Sequence, residues 1–419
     1  MLSALSNALQ VKELRKKIFF VLAMIAVYRV GAHIPVPGIN PEALEKLFAG
    51  AGVLGFLDMF AGGALKNFTI FAMSISPYIT ASIIMQLLTV AIPKLEELVK
   101  QGPEGKTLIT RYTRYATVLL GIIQGTGITL MIRNYGAIKN PSFFNLATIV
   151  VTLTAGTVFL MWLGEQITEK GIGNGISLII FASIVSRFPT GVIQTIKGLS
   201  AGTINIFNLL LFLVISVIVI ALVIYIQEGQ RKIPVRYSKR VVGRKVYGGQ
   251  STHIPLKVNQ AGVIPVIFAS SVLLFPATIA QFIQQSWAQA IANALSPGSI
   301  LYMILFSLLI IFFTYFYTAI QFNPIEIADN MKKHGGFIPG RRPGRPTAEY
   351  LDKILTRITL AGAIFLALIA ILPNFVMEFT GIQMKFGGTA LLIVVGVALQ
   401  TMQQIETYLL SRHYEGFMK

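Results

Sequence analysis

The run from Ile206 to Gln227 is almost pure Leu, Ile and Val and carries no charge. About 20 consecutive apolar residues cross the hydrocarbon core of a bilayer as a helix, and a helix satisfies its own backbone polar groups there. A chain with such a run folds in a membrane. Further apolar stretches repeat the signal at 18–32, 67–93, 115–133, 147–164, 176–192, 260–282, 300–322, 358–372 and 387–410. Composition agrees, with 54% hydrophobic and only 12% charged residues, where soluble proteins carry about a quarter charged. The expected fold class is an all-α polytopic membrane protein of ten transmembrane helices.

The 35 Lys and Arg outnumber the 17 Asp and Glu, and most of the basic residues sit in alternate gaps between the apolar runs. That bias places both termini on the cytoplasmic side. An amphipathic lead, Met1 to Lys17, precedes the first run and ends in Lys12, Arg15, Lys16 and Lys17. The densest basic loop, 228–257, alternates Arg231, Lys232, Arg236, Arg240, Arg244 and Lys245 with Val and Tyr, a pattern suited to a projecting hairpin. A second basic loop, 323–357, has a Gly- and Pro-rich tip that cannot be helical. The same charge would suit anionic lipid, and it leaves contact with ribosomal RNA open for a loop. Stretches 94–114, 283–299 and 373–386 are expected to be loops, and Gly171, Gly173 and Gly175 a tight turn.

Chemistry is constrained by what is missing. The chain has no cysteine and four scattered histidines, so neither a metal nor a cofactor is expected. No nucleophile stands with a base and an orienting group, and no acid falls near the centre of a span. The first speaks against an enzyme, the second against an ion-coupled carrier. The stretch Gly50 to Pro93 combines a glycine-punctuated segment, too broken to span, with an uncharged run carrying Ser74, Ser76, Thr80, Ser82 and Gln86. In that run Ile75 and Ile79 form an i,i+4 pair, as Ile176 and Ile180 do further on. Simple core packing explains such pairs. So does an apolar constriction that excludes ions by dewetting and can widen because it holds no salt bridge. A small-solute carrier and a membrane scaffold remain as other readings.

The segments IFAMSISPYITASIIMQLLTV, RYTRYATVLL, EKGIGNGISLIIFASIV, QSTHIPLKVNQAGVIPVIFASSVLLFPATI and FNPIEIADNMKKHGGFIPGRRPG, with LLIVV in the last span, run in order through nearly the whole chain. In these the chain resembles the SecY family of bacterial protein-translocation channels. Arg341 and the stretch Gly396 to Gln400 depart from the family pattern. The resemblance implies two pseudo-symmetric five-helix halves, 1–192 and 193–419, around a central hourglass pore in the bacterial cytoplasmic membrane. It implies a pore ring of Ile75, Ile79, Ile176, Ile180, Ile267 and Ile393. A plug beneath the ring would comprise Gly55, Phe56, Leu57, Asp58, Met59, Phe60, Ala61, Gly62, Gly63, Ala64, Leu65 and Lys66. A lateral gate would face Thr80 towards Phe275, and Arg240, Arg244, Lys245, Arg341 and Arg342 would dock partners. Those partners would be the SecA ATPase or the ribosome, beside the small subunits SecE and SecG. Signal sequences and unfolded preproteins would be the cargo, with energy supplied by the partner.

Overall fold

The computed structural model describes residues 9–40, 43–44, 55, 58–237, 240–242, 245–247, 251–282, 285–296, 298–380 and 388–417. The chain is predominantly helical and polytopic. Helix α1 (Lys12–Gly31) is followed by an irregular stretch and then α2 (Ser76–Ala91), α3 (Pro93–Lys100), α4 (Pro103–Asn134) and α5 (Phe143–Lys170). Next come α6 (Gly175–Val185), α7 (Phe188–Ser200) and α8 (Ile206–Glu228). Four strands, β1 (Gln230–Tyr237), β2 (Arg240–Val242), β3 (Lys245–Tyr247) and β4 (Ser251–Lys257), precede α9 (Ile264–Phe282) and α10 (Ser286–Ala294). The chain ends with α11 (Ile300–Gln321), α12 (Pro324–Lys333), β5 (Gly336–Phe337), α13 (Arg345–Thr380) and α14 (Gly388–Phe417). Among the described residues, 7 helices are long and apolar enough to cross a membrane, or 8 if α2 and α3, bent by 98°, count as one span.

Several boundaries differ from the sequence expectation, each for a local reason. The second apolar run does not start as helix at 67. Phe68 and Ser74 adopt positive φ, of 46° and 52°, a conformation that side chains with a Cβ disfavour, so α2 begins only at Ser76, with Pro77 in its first turn. Stretch 94–114 is helical rather than a loop. Pro93 and Pro103 start α3 and α4 at a position where the missing N–H is harmless, a Glu96–Lys100 pair at 2.6 Å lies along α3, and Gly102, at φ +82°, turns the corner. The fifth run breaks at Ser186 and Arg187, because Pro189 in the first turn of α7 cannot continue α6. Stretch 283–299 contains α10. Helix α13 runs through Pro373 to Thr380, so the loop expected from Pro373 to Phe386 does not start at that proline.

The turn at Gly171 to Gly175 is present. Asn174 caps α6 by accepting from Ser177 N at 3.1 Å, and Gly173 N donates to Gln404 Oε1 at 2.8 Å, tying the turn to α14. The two ends of the chain also meet, where Tyr408 Oη donates to Glu13 Oε2 at 2.7 Å and Lys17 lies 5.0 Å over the Tyr408 ring.

One large apolar core joins both halves of the chain and includes Tyr28, Phe68, Ile75, Ile180, Ile267 and Ile393. Helix α8 is the least covered of the counted spans, with Leu210, Leu213, Val217 and Leu222 exposed. A separate core, built on Ile233, Val235, Leu256, Met331, Ile338 and Leu351, belongs to the two basic loops. The expected hairpin is there as antiparallel β1–β4, with Ile233 opposite Ile254, and β2–β3 forms a second antiparallel pair between them. Strand β5, from the second basic loop, pairs antiparallel with β1 through Arg236 and Phe337. The two loops are thus one body, joined by backbone hydrogen bonds and a shared core.

Candidate functional site

Three segments far apart in sequence deliver four isoleucines to one small cavity. Ile75 precedes α2 as its cap residue, and Ile79 N donates to Ile75 O at 3.0 Å, so the pair keeps helical spacing although only Ile79 is inside the helix. Ile180 comes from the middle of α6 and Ile267 from the first turn of α9. These four line a cavity of about 60 Å³, room for about two waters by their share of liquid volume. Ile393 is fully buried in the same core. Ile176 is only partly buried against it and points its Cδ1 towards Gly164 of α5, where a Cβ would lie 2.4 Å away.

The cavity wall also holds Ser270, Ser271, Thr278 and Phe275 of α9. Their hydroxyls do not serve the cavity. Ser270 and Ser271 donate to Ile267 O at 2.8 and 2.9 Å, Thr278 to Leu274 O at 2.6 Å. Thr80 on α2 is buried and likewise donates to Ser76 O at 3.1 Å. A serine or threonine that bonds its own helix presents an apolar face, so these side chains add little polarity to a wall that also holds Gln124 and Ser76. Helix α2 packs on α9, and α9 on α4 and α11, which brings the segments bearing Thr80 and Phe275 together.

One side of this cavity is closed by the glycine-rich segment, through Phe60 and Leu65. Of that segment, Gly55 and Asp58 to Lys66 are described; Phe56 and Leu57 lie outside the described residues. Met59, Ala61, Ala64 and Leu65 are buried in the core, and Lys66 is exposed. Gly62 has φ +62°, and a Cβ there would sit 3.0 Å from Ser183 Cα, so glycine is required by conformation and by space.

Polar groups fasten the segment. Asp58 is 2% exposed and forms an ion pair with Arg187, at the break between α6 and α7. Its other oxygen accepts from Lys66 N at 2.8 Å. Arg29 of α1 donates to Gly62 O at 3.3 Å and to Ser186 Oγ at 3.0 Å. Tyr28 Oη lies 2.6 Å from Ser183 Oγ and 3.3 Å from Ala61 O, and Ser74 Oγ donates to Phe60 O at 3.2 Å. The segment resting on the isoleucines is thus held by an ion pair as well as by neutral hydrogen bonds. Sequence reasoning missed Tyr28, Ser183, Ser186 and Arg187. The available signal was a lone acid, Asp58, in an apolar segment, with lone arginines at the ends of two spans.

In the second basic loop, Arg342 is exposed, and Thr347 Oγ1 donates to its carbonyl at 2.8 Å. Arg341 stacks over the Tyr350 ring at 4.9 Å. Arg240 and Lys245 lie in β2 and β3, and Arg244 lies outside the described residues. Among the described residues, no group of three His, Asp or Glu could hold a metal ion.

A sequence model of the SecY family matches residues 69–402. This chain belongs to the SecY family. It is 49% identical to the protein translocase subunit SecY of Streptomyces galbus, over 100% of both chains. Among solved structures, one described as a protein conducting channel superposes with a TM-score of 0.67 at 18% identity, covering 93% of this chain and 91% of that one. A second is described as showing that the plug domain of SecY stabilises the closed state of the translocation channel and maintains a membrane seal. It superposes at 0.66 and 19% identity over the same shares. The fold of this family member is therefore that of a protein-conducting channel.

Proposed function

We propose that this chain conducts unfolded secretory polypeptides across the membrane and releases apolar segments sideways into lipid. The observation that carries the reading is the junction of Ile75, Ile79, Ile180 and Ile267 over a glycine-rich segment held by Asp58 and Arg187. A dry isoleucine constriction blocks ions yet yields to an extended chain once the segment beneath it leaves. Ile176 and Ile393 complete the ring as the channel widens, and residues 55–66 act as the plug, as in the relative whose plug maintains a membrane seal.

The finer architecture is part of the proposal. Helices α1 and α9, of 20 and 19 residues, are shorter or more charged at their ends than the counted spans but long enough to cross with them. With these two the chain has ten spans, in two halves, 1–192 and 193–419, and both termini face the cytoplasm of a bacterium. The lateral gate lies between α2 and α4 on one side and α9 and α11 on the other, with Thr80 and Phe275 at its seam. A signal sequence inserts there because about 20 apolar residues gain more from hydrocarbon than from a wet pore. The joined basic loops, with Arg240, Arg244, Lys245, Arg341 and Arg342, dock the SecA ATPase or the ribosome. SecE and SecG brace the helices, and anionic lipids meet the basic face.

Energy comes from the partner, and the chain itself hydrolyses no nucleotide. The test is protection of a secretory precursor from protease in vesicles holding the complex. Protection that requires the partner motor supports the channel. Saturable uptake of a small solute by the chain without partners would instead establish a carrier.

A further inference from the structure

Between the constriction and the basic loops lies a second cavity, of about 230 Å³, whose wall is dominated by neutral amides. Gln227 ends α8, Asn259 and Gln260 lead into α9, Gln321 ends α11, and Gln400 and Gln403 lie on α14. Two of these leave hydrogen-bonding groups buried and unmatched: Gln227 Nε2, a donor, and Asn259 Oδ1, an acceptor. Asn259 is 5% exposed, and its Nδ2 donates to Gly262 O at 2.9 Å, which fixes the oxygen as the free end. A buried amide group without a partner costs about 1–3 kcal/mol, so the recess is built for a guest that both accepts and donates.

The single cation in the wall, Lys257, is already engaged, since its Nζ donates to Gln403 Oε1 at 2.8 Å. That bond to a neutral amide leaves the ammonium its charge and two further donors, so the wall presents one cation beside six amides. Gly396 sets the shape: a Cβ at that position would lie 2.1 Å from Val263 Cγ1 and 2.9 Å from Gln227 Nε2.

We propose that this recess holds a peptide group of the passing chain, its C=O taken by Gln227 and its N–H by Asn259. The inference rests on the channel reading, because it places the recess on the route of the polypeptide. Asn259 lies just before Ile267 on the way into α9, and Gly396 one turn beyond Ile393 on α14. Every residue of every precursor carries the same C=O and N–H, proline's missing N–H aside. Neutral amides thus grip an extended chain without reading its sequence.

The experiment uses the complete translocase in vesicles with an arrested secretory precursor. A photo-crosslinking residue is placed at Gln400 in one preparation and at Ile267 in another. Adducts with the precursor are expected from both sites, and shifting the arrest point by single residues should leave the yield at Gln400 unchanged. Adducts at Ile267 with none at Gln400 overturn the recess and leave the channel intact; none at Ile267 overturns the channel itself. In parallel, Gln227→Leu removes an unmatched donor and should raise thermal stability slightly while slowing translocation roughly fivefold to tenfold, the worth of one hydrogen bond. Unchanged translocation in a stabilised variant would mean that the recess holds only water.

Discussion

Removing the carboxylate of Asp58 should unseal the resting channel. The side chain of Asp58 is 3% exposed and that of Arg187 19%. Truncating one partner of a buried pair costs about 3–5 kcal/mol, because the other charge is stranded. Arg187 retains some access to water, which lowers the expected cost to about 2–3 kcal/mol. At 1.4 kcal/mol per tenfold, the ratio of displaced to seated plug rises roughly 30- to 150-fold. Ion leak through planar bilayers reports that ratio directly while the seated state still dominates. Asp58→Ala and Arg187→Ala should each leak strongly, and the double variant should leak no more than the worse single, since the pair is lost only once. Single variants as tight as the parent, or a double variant whose leak is the product of the two, would refute the latch.

Other expectations concern the same region and the cytoplasmic body. Ile79→Gly combined with Ile267→Gly should make the resting channel leak, whereas a scaffold without a pore would stay tight. Gly62→Val forces a β-branched residue into φ +62° against Ser183; a cost of about 1–3 kcal/mol should speed hydrogen exchange over 58–66 while the spans stay protected. A disulfide between Thr80→Cys and Phe275→Cys should stop translocation until it is reduced, and unimpaired translocation by the oxidised form would sink the gate assignment. Ile233→Ala empties a site that is 2% exposed in the cytoplasmic core. At about 2–4 kcal/mol, it should make 228–257 protease-sensitive without raising the resting leak.

Much of this was legible in the residues because a bilayer imposes a simple code. Apolar length marked the spans, and alternation of basic residues with Val and Tyr marked the hairpin. What the code misses is the local geometry that needs a tertiary partner. Charge at Lys94 to Arg114 suggested a loop, yet α3 and α4 are helices that extend beyond the apolar zone. Pro373 suggested a stop, yet α13 continues through it to Thr380. The paired isoleucines were visible at 75 and 79 and at 176 and 180, but not which of them would share a cavity, since that depends on how α6 turns against Gly164. Arg187 was a lone charge until the fold brought it 129 positions back to Asp58.

The pairing of β5 with β1 makes a mechanical linkage. The hairpin is rooted at the end of α8 and the start of α9, and the second loop at the end of α11 and the start of α13. Joined by Arg236 and Phe337, the two loops act as a yoke across four helix ends. Force applied at the exposed Arg342 is therefore not spent bending one flexible loop. It reaches α9, which carries Ile267 and Phe275, together with the helix beside it, so the proposed docking of a motor at one tip would load the proposed constriction and its side wall in a single stroke.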